Sequence, residues 1–236
     1  MLRTLRKLLR PGFRVPGRIV RRSPSVVILA SGVAQRWEGI QHKQLVNIAG
    51  RPLLLRTLDQ LDQRWETRPV VVTHHEQIAQ AVSNSADTLF LEPNQRRWTV
   101  ETALSSRTEW GDPTLILAGD VYWTDAALDI ACEFNTGGPV RYLVTQGPVG
   151  DDILGVWFRR RHRNRVARAL NHAIQHARLR GGGGKLWQSY RSLNGFPLTR
   201  HHLEATHCVR IEDESTDFDS IGDYQRFIEQ CQSKAA

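Results

Sequence analysis

The chain of 236 residues is long enough for one well-buried domain and too short for two generous ones. Apolar residues make up 40% and charged residues 24%, and the longest apolar runs are strand-sized, which excludes a membrane-spanning helix of about 20 apolar residues. The formal net charge of +8 is carried by the first 24 residues, where Arg3, Arg6, Lys7, Arg10, Arg14, Arg18, Arg21 and Arg22 meet no acid. The remainder is balanced, so a basic nucleic-acid-binding domain is disfavoured.

In chain order, residues 1–24 read as a basic arm and 25–236 as a single domain. Leu2, Leu5, Leu8 and Leu9 have helical spacing, but so short a helix is marginal alone in water. The arm is read as a flexible solubilising segment, with docking on an anionic membrane surface, a partner or a nucleic acid as the alternative. The start lacks a long apolar core, so no secretory signal is expected. Cys132, Cys208 and Cys231 are odd in number and lack C-x-x-C spacing, which suits a reducing, cytoplasmic setting.

From residue 25 onward, apolar β-rich runs at 26–30, 69–73, 88–91, 114–118 and 141–145 alternate with helix-like segments at 53–64, 75–83, 98–108 and 124–134. A further strand is expected at 153–158, helices at 160–179 and 185–193, a strand at 206–211 and a last helix from about 221. This alternation predicts an α/β fold, a three-layer α/β/α arrangement with a mostly parallel central sheet. Ligands of such sheets sit beyond the carboxyl ends of the strands, which singles out the loops after Ala30 and Ala118.

Three stretches carry candidate chemistry. The first is Leu29-Ala30-Ser31-Gly32-Val33-Ala34-Gln35-Arg36, followed by His42-Lys43-Gln44-Leu45 and Gly50-Arg51-Pro52-Leu53-Leu54. Small residues after a strand let backbone N–H groups approach phosphate, while Arg36 and Lys43 supply positive charge, the Lys43 ammonium being expected on phosphate rather than protein. The second is the strand ending in Ala118-Gly119-Asp120. The third is Thr216-Asp217-Phe218-Asp219-Ser220-Ile221-Gly222-Asp223, in which Ser220 and Asp223 suit a helix start and Asp217 is open between roles.

Together these stretches resemble the GT-A-like nucleotidyltransferases that make activated sugars and alcohols, whose pattern is L-A-x-G-x-G-x-R, then P-K-x-L, then G-x-P-L. The likeness covers most of residues 25–230, with sharp motifs at about forty positions. Ala34 and His42 depart from a glycine and a proline of that pattern. The resemblance implies a GT-A/Rossmann-like nucleotidyltransferase fold and transfer of NMP from an NTP, with CTP weakly favoured, to a phosphorylated sugar or alcohol with loss of pyrophosphate. It implies Lys43, Arg36 and Asp120 as catalytic residues. Nucleotide would meet Ala30, Ser31, Gly32, Arg36, Lys43, Arg97 and Thr99, and Mg²⁺ would lie on Asp120 and Asp219. Partners would be an NTP and a phosphorylated small-molecule acceptor, with a homo-oligomer left open.

An inactive nucleotide-binding relative, an adaptor working through the arm and a metal-dependent glycosyltransferase stand as alternatives. The six arginines within 159–168 are read as a solvated helix face that could also gather an anionic acceptor. Glycines 181–184, with no Lys-Ser/Thr after them, are read as a hinge rather than a P-loop.

Overall fold

The computed structural model describes residues 23–32, 37, 42–84, 87–133, 139–147, 150–181, 183–204 and 206–235. Most of the basic arm, together with Ala34 and Arg36, lies outside the described residues. The chain runs through β1 (Ser25–Leu29), the short ribbon of β2 (Asn47–Ile48) and β3 (Arg51–Pro52), helix α1 (Leu53–Arg64), β4 (Val70–Val72), α2 (Glu76–Ser83), β5 (Leu89–Leu91) and α3 (Thr99–Ser105). It continues through β6 (Thr114–Ala118), β7 (Val121–Tyr122), α4 (Asp125–Glu133), β8 (Val140–Gly147) and β9 (Gly150–Phe158). Last come α5 (Arg163–Arg180), α6 (Leu186–Leu193), β10 (Cys208–Ile211), β11 (Thr216–Asp217) and α7 (Ile221–Ala235).

Seven strands form one sheet in the order β10-β8-β9-β6-β1-β4-β5. The pairs β1–β4, β1–β6, β4–β5 and β8–β10 are parallel. β9 alone among them runs antiparallel, to both β6 and β8. Only two residues separate β8 from β9, too few for the crossover that a parallel neighbour needs. The three-layer, mostly parallel arrangement is therefore present, with one reversed strand.

Successive side chains of β1 alternate between the two faces and so build both cores. Val27 and Leu29 join Val72, Ile116, Val156 and residues of α3, α5 and α6. Val26 and Ile28 join Val71, Leu115, Leu117 and residues of α1, α2 and α4. Burial of each such aliphatic side chain contributes roughly 1.5–3 kcal/mol, which is why β1 reads as continuously apolar. A third cluster of Val46, Ile48, Leu53, Phe218 and Phe227 anchors α7 beside the short ribbons.

Candidate active site

The two inner strands β1 and β6 end side by side, with Leu29 opposite Ala118. Connections leave β1 and β6 toward opposite halves of the sheet, so a crevice opens at their carboxyl ends. The Ala30 N–H donates to the Val72 carbonyl at 2.9 Å, and the Ala30 carbonyl accepts from the Thr73 hydroxyl at 3.0 Å. The Ser31 hydroxyl donates to the same Val72 carbonyl at 3.0 Å. These groups pin the strand end, and of the stretch Ala30–Ser31–Gly32 it is Gly32 that lines the cavity.

The turn after β6 is equally constrained. The Gly119 N–H donates to the Leu29 carbonyl at 2.9 Å, and a Cβ at 119 would stand 2.8 Å from that same oxygen. Only glycine allows this approach, which delivers Asp120 to the crevice. Next, β7 pairs antiparallel with β11, Val121 opposite Asp217 and Tyr122 opposite Thr216. This ribbon joins segments almost a hundred residues apart and brings Asp217 and Asp219 beside Asp120. The two-residue strands that do this are too short to leave a periodic signal in the sequence.

Lys43 stands on a 3₁₀ turn (Lys43–Leu45) at the centre of these carboxylates. It is only 8% exposed, forms an ion pair with Asp120, and donates to the Phe218 carbonyl at 3.4 Å. This corrects the expectation that its ammonium avoids protein. Burial alone would lower its pKa, but Asp120, with Asp217 and Asp219 behind it, outweighs desolvation and raises it. The Asp217 carboxyl is pushed up to about 6, first by burial and then by the negative charges of Asp120, Asp219 and Asp152, with Lys43 opposing.

The resulting cavity, about 380 Å³, is lined by Lys43, Asp120, Asp217 and Asp219. Thr99, Asp152, Lys185 and Trp187 line it as well. The helix N-cap beside Thr99 is Trp98, with no side-chain cap, so the hydroxyl of Thr99 is not the cap of α3. Arg97 is exposed and does not line the cavity; its guanidinium lies over the Trp98 ring, 4.8 Å from the centroid. Lys43, Gly32, Thr99, Asp120 and Asp219 thus share one cavity, while Arg97 stands apart and Arg36 lies outside the described residues.

Other expectations resolve structurally. Ser220 and Asp223 form a reciprocal cap on α7, the Ser220 N–H donating to the Asp223 carboxylate at 2.8 Å and the Asp223 N–H to the Ser220 hydroxyl at 3.2 Å. His42 packs against His75 with the rings tilted by 39° and centroids 4.2 Å apart, and His75 lies 3.9 Å from His74. None of the arginines in 159–168 lines the cavity; Arg163 and Arg165 donate to the carbonyls of Arg107 and Leu193. In the glycine run, Gly181 closes α5 in the left-handed conformation, and Gly184 packs so tightly on Trp98 and Val100 that a Cβ would fall 2.7 Å from Val100. Its end is a packed joint rather than a hinge. Asp152, Lys185 and Trp187 carried no local motif and were not anticipated.

Among the described residues no group of three or more His, Cys, Asp or Glu is disposed to enclose a metal by itself. Nor is any helix among them long and apolar enough to cross a membrane.

The family model for the MobA-like NTP transferase domain matches residues 26–206. The bifunctional protein GlmU of Cupriavidus pinatubonensis is 36% identical over 107 residues, 44% of this chain but only 23% of that protein. The chain thus spans about a quarter of the length of the curated relatives it matches. The CTP:phosphocholine cytidylyltransferase LicC of Streptococcus pneumoniae superposes with a TM-score of 0.59 at 14% identity, covering 88% of this chain and 98% of that one. The inositol-1-phosphate CTP transferase of T. maritima gives 0.58 at 13% identity, covering 85% and 91%. At those identities the likeness is one of fold. With the family model spanning well over half of the sequence, the chain belongs to the MobA-like NTP transferase domain family.

Proposed function

We propose that the chain transfers a nucleoside monophosphate from an NTP to a phosphorylated sugar or alcohol in the cytoplasm. An acceptor phosphate oxygen forms a new bond to the α-phosphorus, and the bond from that phosphorus to the pyrophosphate oxygen breaks in line, releasing pyrophosphate. The observation that carries this reading is the convergence of Lys43, Asp120, Asp217 and Asp219 at the carboxyl ends of β1 and β6, beside Gly32. Positioning and charge neutralisation supply most of the acceleration in such transfers. Lys43 would turn its ammonium to the triphosphate, aided by Arg36, and Thr99 would meet the nucleotide.

The donor set fits a divalent cation such as Mg²⁺. Its oxygens are hard carboxylate ligands, and their mutual repulsion, which adds to burial in raising the Asp217 pKa, is what a cation relieves. Asp120 and Asp219, with Asp217 adjoining, would hold it. Mg²⁺ commonly takes one or two carboxylates and completes its shell with water and substrate phosphate, so a protein-only cage is not required. When bound, such a cation neutralises phosphate charge and polarises the reacting phosphoryl group.

Pyrophosphate release, measured with four NTPs against sugar and alcohol phosphates with and without Mg²⁺, tests the reading. CTP is the first nucleotide to try, on the strength of segment 94–100 and of Thr99 in the cavity wall. Metal-dependent release that vanishes in Asp219→Asn supports it. Tight NTP binding without release under every pairing would leave a non-catalytic relative.

A further inference from the structure

The stretch that leads Thr99 into the cavity wall is held from outside the site. Asn94, Gln95, Arg96 and Arg97 are all exposed, so this approach to α3 gains little from burial and depends on polar tethers for its order. The tethers converge on Glu101, in the first turn of α3, which is only 4% exposed. One of its carboxylate oxygens accepts the Arg97 N–H at 3.0 Å, reaching back past the cap residue Trp98. The other accepts from the Arg178 guanidinium, also at 3.0 Å. The same guanidinium nitrogen donates to the Gln95 side chain at 2.6 Å.

A helix-start glutamate is ordinarily solvated and needs no partner beyond its own backbone. Glu101 is instead buried, and its cation comes from the last turn of α5. A carboxylate taken out of water is tolerated only where such partners meet it. A second tether reinforces the first. The Val100 N–H donates to the Gly184 carbonyl at 3.2 Å, just beyond α5, and a Cβ on Gly184 would stand 2.8 Å from that of Trp98. Thr99 lies between these contacts and lines the cavity with Lys43, whereas Gln95, Glu101 and Arg178 do not line it. Whatever they do for a ligand there, they do through Thr99 and its segment.

We propose that Arg178 and Glu101 are positioning residues for nucleotide binding, an ion-paired latch that presets segment 95–99 so that Thr99 meets the nucleoside end of the NTP without further ordering. The inference rests on the transferase reading and adds to it a determinant of NTP affinity that lies outside the cavity. Preordering removes the entropy loss that a free segment would suffer on binding. It leaves untouched the pyrophosphate portion, which Lys43 and the carboxylates would hold.

The test is calorimetric binding to the full chain of Mg²⁺-NTP, using whichever of the four binds most tightly, and separately of Mg²⁺-pyrophosphate. Arg178→Ala should weaken NTP binding about tenfold and pyrophosphate binding by less than about twofold. Arg178→Lys, which keeps a charged donor at the latch, should recover most of the loss. Glu101→Gln still accepts the Arg97 N–H but gives up its charge, and should weaken NTP binding several-fold. Adding it to Arg178→Ala should change little, because both variants open the same contact. A merely structural role would lower both affinities together and give additive losses. The variants of half-exposed Arg178 carry the test if Glu101→Gln fails to fold. The double variant and the lysine rescue decide it if pyrophosphate binds too weakly to measure. Unchanged NTP affinity in Arg178→Ala, an equal loss for pyrophosphate, or no recovery in Arg178→Lys would overturn the latch. Pyrophosphate release is scored separately. Release by the wild type with unaltered NTP affinity in Arg178→Ala defeats the latch and keeps the transferase. Selective loss of NTP binding, with no release by the wild type under any pairing, defeats the transferase and keeps the latch. No NTP binding by the wild type overturns both.

Discussion

Asp217 is the antiparallel partner of Val121, so the carboxylate on β11 lies alongside the residue that immediately follows Asp120. That single pairing sets the charge balance of the site. Three aspartates meet one buried lysine, and the removal of any one of the four has a consequence with a definite sign.

Asp120→Asn and Asp217→Asn should move stability in opposite directions when measured in chelator at pH 7.5. Asp120 is the ion-pair partner of the buried Lys43 ammonium. Its loss should cost about 1–3 kcal/mol, less than for an isolated buried pair because Asp217 and Asp219 still face the lysine. Asp217 is held ionised against burial and like charge, so neutralising it should stabilise the fold by about 1–2 kcal/mol. Urea midpoints that fall equally for both variants would contradict this reading of the cluster.

Lys43→Met should lower NTP affinity and stability together. The folded-state pKa of Lys43 lies above its ordinary 10.5, so its contribution to stability is fully present below that value and fades as pH rises through the folded value. The stability gap between wild type and Lys43→Met, about 1–3 kcal/mol, should stay constant between pH 7 and about 10, then narrow. A gap that widens above pH 10 would have the wrong sign.

Gly119→Ala should be far more damaging than an ordinary glycine replacement at a turn. The added Cβ would meet the Leu29 carbonyl oxygen, a backbone atom that is itself hydrogen-bonded to residue 119. Overpacking of this kind costs about 1–3 kcal/mol, and the displaced turn carries Asp120 with it. Turnover should therefore fall even under conditions where circular dichroism shows the variant fully folded.

Acid should destabilise the fold through His75, the residue that precedes α2. Burial, then the neighbouring His74 and His42, depress its pKa to about 4, below the 6.5 of an unfolded chain. Its stabilising effect is complete above pH 6.5 and is lost as pH falls toward 4, because the unfolded state takes up the proton first. The denaturation midpoint of the wild type should drop between pH 6.5 and 4, and His75→Gln should flatten that drop. An unchanged slope in the variant would assign the acid sensitivity elsewhere.

The sheet was legible because β1, β4, β6 and their neighbours are apolar runs bounded by breakers, and the loops after Ala30 and Ala118 followed from the parallel order. Asp120 was legible through the strand-end Gly-Asp, and Asp219 through the Asp-Phe-Asp run. The β7–β11 ribbon was not, since two residues carry no periodicity, and so Asp217 stayed undecided between roles. Trp187 and Lys185 were invisible for a different reason. They reach the cavity through the packing of Gly184 against Trp98 and Val100, a contact between segments more than eighty residues apart. Lys43 was identified by its motif, but its burial depended on tertiary neighbours that no local pattern reveals.

The reversed strand β9 has a consequence for the nascent chain. Synthesis through residue 118 provides the four parallel strands β5, β4, β1 and β6, yet the outer margin of β6 has no hydrogen-bonding partner until residues 150–158 have emerged. For that interval Thr114, Leu115, Ile116 and Leu117 expose an apolar, ladder-ready border, the point at which a stalled or truncated product would be expected to self-associate. The β8–β9 hairpin ends this vulnerable interval, whereas Asp217 on β11 and Asp219 just after it arrive only with the last thirty residues. A released fragment ending at residue 200 should then be protease-resistant across the six strands β8, β9, β6, β1, β4 and β5, and would still lack β10, Asp217 and Asp219.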